Sequence, residues 1–358
     1  MSRVLMKGNE AFAEAAIRAG CKCYFGYPIT PQNEIPEYMS HALPAAGGSF
    51  IQAESELAAI SMAFGASASG GRVFISTSSP GLALMQEGLG FLCSAETPAV
   101  VLNVSRGGPG VGGIQPGQAD YTQATRGGYN GDAHLLVFAP AGIQECVDLI
   151  YSCFDIAETY RNPVLILADG MMGQMMEPVE LPEALGITPV EKLSEKRPWA
   201  ITGTDSHPGR NVVFSLRMQP DELEAHVEKL FKKYAKAEEE LVRYQTYNIE
   251  DADVVFVAFG TVSRLCMEAM ELLEEQGVKA GLIRPISLWP FPYKAFDGLS
   301  EKTKLVVSAE LSMGQLIQDV KLGVMGRKPV ALVSRTGGIV PGSREIADKT
   351  LKLLEGLK

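Results

Sequence analysis

A chain of 358 residues that is 46% hydrophobic and 21% charged has material for about two domains of roughly 100 to 200 residues and no room for extensive disorder. Its 32 basic and 42 acidic residues leave a net charge of −10, and without any Lys/Arg cluster this argues against partners such as nucleic acid or an anionic membrane. The opening MSRVLMKGNEAFAEAAIRAGC turns amphipathic with no apolar run of signal-peptide length, and no stretch is long and apolar enough to span a bilayer, so a cytoplasmic location is expected.

Residues 8–20, GNEAFAEAAIRAG, carry the spacing of an Ala-rich amphipathic helix stopped by Gly20. The strand CKCYFGY follows and runs into Pro28-Ile29-Thr30-Pro31. Two prolines three apart forbid a helix before Pro31, which can occupy a first helical turn behind Thr30 as N-cap. The corner is stiff and presents Thr30, either as a structural cap or as a ligand-binding hydroxyl. Phe50 to Gly71, FIQAESELAAISMAFGASASGG, reads as the end of a strand entering a helix with Glu54 and Glu56 in its first turn and almost no charge afterwards. Glu56 shares its stripe with Ala59, Ile60 and Ala63, whereas Glu54 lines up with Leu57, Ala58 and Ser61. Glu56 is therefore the carboxylate expected in a dry place, where desolvation favours the protonated form and suits proton transfer near neutral pH. Acidic residues also favour any helix start because they complement its dipole, and the pattern alone leaves that reading open.

RVFISTSSPG reads as a strand ending in a Ser/Thr-rich turn, LALMQEGLGFLCSAE as one helix, and AVVLNVSR as a buried strand with Arg106 at its carboxyl end. Strand and helix in alternation predict a parallel sheet covered on both faces. In such sheets the crevice beyond the carboxyl ends of the strands binds ligands, so Arg106 stands where an anion would be read, with a merely solvated strand end as the alternative. Gly108, Gly110 and Gly113 match a dinucleotide fingerprint by letter, but Pro116 and Gly117 forbid the helix it must open. GGPGVGGIQPGQADY is read instead as a long flexible loop over the crevice, able to carry specificity. HLLVFAP, IQECVDLIYSCFDIAETYR and PVLILADG repeat strand, helix and strand.

The division expected is an α/β domain over residues 1–185, a connector over 186–250 containing the charged helix DELEAHVEKLFKKYAKAEEELVRY, and a second α/β domain over 251–358. The second domain shows no nucleophile elbow, Walker loop or triad, and its expected role is scaffolding or subunit contact. His41, His134, His207 and His226 have no ligand-like spacing, so no metal site is expected. Cys21 and Cys23 form a C-x-C and the other four cysteines are scattered, which predicts reduced core thiols and no iron–sulfur cluster in this chain.

GYPITP at 26–31, ESELAAI at 54–60, NVSR at 103–106 and LIRPISLWPFP in the second domain together resemble the alpha subunit of 2-oxoacid:ferredoxin oxidoreductases over essentially the whole chain. The loop GGIQPGQADY is most similar to the 3-methyl-2-oxobutanoate (2-oxoisovalerate) type. The resemblance implies a thiamine diphosphate pyrimidine-binding domain followed by a transketolase C-terminal-like domain. It implies oxidative decarboxylation of a 2-oxoacid to an acyl-coenzyme A, with electrons passed through iron–sulfur clusters to ferredoxin. Carried over by position, Glu56 corresponds to the glutamate that contacts the aminopyrimidine, Arg106 to the arginine on the substrate carboxylate, and Thr30 to the threonine of the Pro-Ile-Thr-Pro corner, with Tyr27, Pro28 and Ile29 beside it at the cofactor. The diphosphate and its Mg²⁺ require Gly-Asp-Gly and a later Asn; here Asp169-Gly170 follows Ala168 and no Asn comes at that distance. The chain is thus expected to hold half a site. A beta subunit would bind the diphosphate, with a gamma subunit, a ferredoxin-like iron–sulfur subunit and ferredoxin as further partners. The alternatives are pyruvate or 2-oxoglutarate as substrate, an NAD-linked dehydrogenase built on the glycine loop, or a non-catalytic assembly subunit.

Overall fold

The computed structural model describes residues 3–203 and 210–357, so His207 lies outside the described residues. Two sheets organise the molecule. The first has the order Ser287–Trp289, Leu136–Phe138, Val164–Asp169, Val100–Gly107, Val73–Thr77, Cys23–Gly26 and Ser49–Gln52, parallel throughout except at the Ser287–Trp289 edge. Its central strands read as continuous apolar runs because neither face meets water. Val100, Leu102 and Val104 pack with Ala11, Phe12 and Val147 on one side, while Val101 and Ile75 pack with Ile60, Leu89 and Leu92 on the other. Each fully buried side chain of this kind contributes roughly 1.5–3 kcal/mol, which fixes strand register and so the direction of the residues at the strand ends.

The second sheet has the order Tyr244–Tyr247, Ala280–Pro285, Val254–Val257, Leu305–Glu310 and Val330–Ser334, with helices Gly260–Glu274, Leu316–Val324 and Ser343–Glu355 against it. One strand crosses from the second sheet to the first. Tyr244–Tyr247 precedes the second sheet's first parallel strand yet pairs within that sheet, and Ser287–Trp289 leaves it to pair with Leu136–Phe138. The sequence LIRPISLWPFP therefore spans both layers rather than one.

The seam between the layers is polar and fully bonded. The Gln118 side chain donates to Phe259 O at 2.9 Å and accepts from the Leu311 N–H at 3.1 Å. Thr261 Oγ1 donates to Asp169 at 2.6 Å, and the same carboxylate caps helix Gly170–Gln174 by accepting from the N–H groups of Met171 and Met172. Burial pushes the Asp169 carboxyl above the usual range, and these donors counteract that in part. Asp319 accepts from Tyr121, Tyr293 and Arg126, and Glu310 from Ser308, Ser312 and the N–H groups of Gln315, Leu316 and Ile317.

Four local readings need correction. Glu54 is outside the helix, which runs Glu56–Ala68 behind Ser55, whose hydroxyl accepts from the Ala58 N–H at 3.2 Å. Thr30 does not cap a helix beginning at Pro31. Residues 29–32 form a separate turn closed by Gln32 N–H to Ile29 O, because the buried Gln32 side chain is anchored to Ser76, and the helix begins at Glu34. LALMQEGLGFLCSAE lies across two helices, Ser79–Leu84 and Gln86–Ser94. The glycine loop is half strand: Gly113–Pro116 pairs antiparallel with Val100–Gly107, and a helix follows at Tyr121–Arg126.

Candidate active site

The site is built at the carboxyl ends of Val73–Thr77 and Val100–Gly107. Glu56 occupies the first position of its helix and is 7% exposed, above the buried Ala59, Ile60 and Ala63, while Glu54 is exposed. Its carboxylate lies against the turn that follows Thr77. A Cβ added at Gly81 would stand 2.4 Å from Glu56 Oε1 and 2.2 Å from Thr77 Oγ1, so the approach of the two helix starts needs glycine there. Among the described residues no donor is hydrogen-bonded to the Glu56 carboxylate.

Arg106 is 8% exposed at its strand end. Its Nη1 donates to Thr30 O at 2.7 Å and Thr30 Oγ1 at 3.3 Å, and its Nη2 to Val111 O at 2.6 Å. The Arg106 backbone N–H donates to Ser79 Oγ at 3.0 Å. Beneath it, one oxygen of the buried Asp120 accepts from Ser79 Oγ at 2.5 Å, Asn103 Nδ2 at 2.8 Å and Ser105 Oγ at 2.8 Å. Asp120 thereby ties three strand-end and helix-start residues into one rigid group. Tyr27 and Pro28 are exposed and Ile29 half-buried on the loop that carries Thr30. The structure thus joins Thr30 to Arg106 directly and brings Glu56 to the turn whose Ser79 holds the Arg106 backbone.

Around this group, four buried polar atoms have no partner among the described residues: Thr77 Oγ1, Ser78 Oγ, Asn103 Oδ1 and Arg106 Nε. Buried polar groups in native proteins are nearly always bonded, and each orphan costs about 1–3 kcal/mol. Four together, beside the buried Glu56 with no bonded donor, make this crevice a candidate ligand site.

The chain matches two family models that run along it: pyruvate flavodoxin/ferredoxin oxidoreductase, thiamine diphosphate-binding, over residues 14–246, and pyruvate:ferredoxin oxidoreductase core domain II over 252–346. It belongs to the 2-oxoacid:ferredoxin oxidoreductase family. Within that family it is 45% identical over 352 residues to the ketoisovalerate oxidoreductase subunit VorB of Methanothermobacter marburgensis, covering 98% of this chain and 97% of that one. The corresponding subunit of Methanothermobacter thermautotrophicus is 43% identical with the same coverage. Among solved structures, the 2-oxoglutarate:ferredoxin oxidoreductase from Magnetococcus marinus, with 2-oxoglutarate, coenzyme A and succinyl-CoA bound, superposes with a TM-score of 0.86 at 28% identity. That match covers 99% of this chain, which spans 65% of the neighbouring one. The fold is accordingly a thiamine diphosphate pyrimidine-binding α/β domain followed by a transketolase C-terminal-like one, and the chain is an oxidoreductase subunit of a thiamine diphosphate-dependent family that works as multi-subunit complexes. No helix among the described residues is long and apolar enough to cross a membrane.

The residues present fit the cofactor's aminopyrimidine end. That ring offers ring nitrogens and an amino group, and Glu56 with the orphaned Thr77 and Ser78 hydroxyls offers matching acceptors and donors. Sequence reasoning missed Asp120, Ser79, Thr77 and Ser78. Only Ser/Thr richness at 76–79 hinted at the last three, and nothing near Asp120 announces that it reaches back under Arg106.

Proposed function

We propose that this chain contributes the pyrimidine half of the active site in a complex that oxidatively decarboxylates 3-methyl-2-oxobutanoate to an acyl-coenzyme A and carbon dioxide, passing the electrons to ferredoxin. The observation that carries the residue roles is the group of unpartnered polar atoms between Glu56 and Arg106. The substrate reading is supported by the two ketoisovalerate oxidoreductase relatives at 45% and 43% identity. When bound, thiamine diphosphate supplies the nucleophilic carbon and the electron sink that decarboxylation needs. Glu56 holds a proton at the aminopyrimidine ring nitrogen, and its burial keeps that exchange out of bulk water. Arg106 fixes the substrate carboxylate: its guanidinium carries an unpartnered Nε–H, and paired N–H groups recognise a carboxylate bidentately. Thr30 orients the guanidinium through two contacts and offers its hydroxyl beside it. Tyr27, Pro28 and Ile29 shape the wall next to the cofactor. Because Asp169-Gly170 serves as a helix cap and seam ligand, the diphosphate and Mg²⁺ are assigned to a beta subunit, with gamma and ferredoxin-like iron–sulfur subunits completing a cytoplasmic complex.

The test uses the complex captured through a tag on this chain under anaerobic conditions. Initial rates of coenzyme A-dependent viologen reduction are compared for 3-methyl-2-oxobutanoate, pyruvate and 2-oxoglutarate. The reading predicts at least about tenfold higher kcat/KM for the branched acid, the scale on which an apolar pocket discriminates. A preference for either other acid overturns the substrate, and no activity with any, in a complex containing the cofactors, leaves an assembly role as the reading.

A further inference from the structure

Resting on the substrate reading above, we propose that the substrate's side chain is selected by an apolar cleft closed by the second domain, with Val340 and Ile114 as its specificity-determining residues. A cleft of about 590 Å³, within the usual range for small-molecule pockets, opens beside Thr30. The strand order decides what it faces. Val73–Thr77, whose turn meets Glu56, flanks the Arg106 strand on one side, and Val164–Asp169, which leads to Gly170 and Met171 of the cleft, flanks it on the other. Thr30, which touches the Arg106 guanidinium, also lines this cleft, so an acid held by its carboxylate on Arg106 has the cleft beside it.

The apolar part of the wall is Pro31, Ile114, Pro116, Met171, Met175 and Val340, with Asn33, Glu34, Gln115 and Gln174 as polar residues beside it. Among the described residues no lysine or arginine lines the cleft, and the one titratable residue there is Glu34. Burial acts to raise the Glu34 carboxyl, but hydrogen bonds from Lys7, Asn9 and Gln174 more than reverse this and hold it below the usual carboxylate range, so it stays ionised. A branched aliphatic chain meets matching surface there. A second carboxylate finds no cation free to pair with it, since Lys7 is already paired with Glu34, which disfavours a dicarboxylic acid. Val340 reaches the cleft because the glycine loop of the second domain packs on the hairpin of the first: a Cβ at Gly338, which has φ +93°, would stand 2.4 Å from Gln115 Cβ, and one at Gly107 would stand 3.2 Å from Gly337. The second domain thereby helps choose the substrate without touching the reacting atoms.

The test measures kcat/KM for 3-methyl-2-oxobutanoate and for 2-oxoglutarate in the intact complex carrying Val340→Lys or Ile114→Lys. Both positions are partly or largely exposed, so each variant is expected to assemble, and thermal unfolding checks this. The expected result is a fall of about tenfold or more in the ratio favouring the branched acid, with the larger share in KM. A parental complex that prefers the branched acid but whose ratio moves less than about twofold in both variants overturns the cleft assignment alone. A parental complex that prefers 2-oxoglutarate overturns the substrate reading, and this assignment with it.

Discussion

Two polar regions of this molecule behave oppositely. At the seam between the sheets, Glu310 receives five hydrogen bonds, from Ser308, Ser312 and three backbone N–H groups, and Asp169 receives three, so their buried charge or polarity is met within the chain. Around the end of Val73–Thr77 and the neighbouring part of Val100–Gly107, Thr77, Ser78, Asn103 and Arg106 each keep a buried polar atom unpaired among the described residues, and Glu56 has no donor there. The first arrangement is what a junction needs to hold one geometry. The second is a surface prepared for another molecule's atoms, because local rules of satisfaction fail chiefly where function requires it. Burial of a carboxylate therefore does not separate structure from site; the completeness of its hydrogen bonding does.

That contrast can be sharpened from the largest effect to the smallest. Glu56→Gln keeps the shape and removes the exchangeable carboxyl proton, so kcat for the 2-oxoacid is expected to drop by about 10²–10⁴-fold, the range for general acid–base catalysis, while the melting temperature of the complex stays unchanged. Steady-state viologen reduction and calorimetry read the two quantities. Glu310→Gln, at the seam, removes one of two acceptor oxygens beneath the start of helix Leu316–Val324. Losing charge-assisted bonds of this kind is expected to cost roughly 1.5–3 kcal/mol, seen as a lower denaturation midpoint with KM for the 2-oxoacid unaffected in the fraction that remains folded. The smallest effect is a pH slope. Asp169 has a folded pKa raised by burial, so the folded state holds that proton more tightly than the unfolded one. Stability from this group is present at low pH and is lost as pH rises from the ordinary value of 3.8 through the raised one. Asp169→Asn is expected to flatten that slope in denaturation curves taken between acidic and neutral pH.

Much of this was legible in the sequence because it rests on local periodicity. Alternating strands and helices announced the doubly covered parallel sheet, and the apolar stripe Ala59, Ile60 and Ala63 separated Glu56 from Glu54 although the helix begins two residues later than its first acidic residue. Arg106 was visible as a charge ending a buried strand, and the structure buries it against Thr30 rather than leaving it solvated. What stayed hidden depends on contacts between distant segments. Asp120 meets Ser79 from 41 positions away, and Gln118 reaches Leu311 across 193. The turn at Thr30 is set by the buried Gln32 finding Ser76, not by the proline spacing that suggested a cap. Val340 sits in a Gly/Pro-rich loop with no periodicity, so only the packing of Gly338 on Gln115 shows that it belongs to the first domain's cleft.

The most direct measurement sets Glu56→Gln and Glu310→Gln side by side in the same purified complex, recording initial rate with 3-methyl-2-oxobutanoate and thermal midpoint for each. The account predicts opposite signatures: Glu56→Gln loses at least about 100-fold in rate with an unmoved midpoint, whereas Glu310→Gln shifts the midpoint and retains its rate per folded complex. A Glu56→Gln complex that turns over within a few-fold of the parent, or that unfolds as readily as Glu310→Gln, would contradict it and return Glu56 to the role of a residue that merely starts a helix.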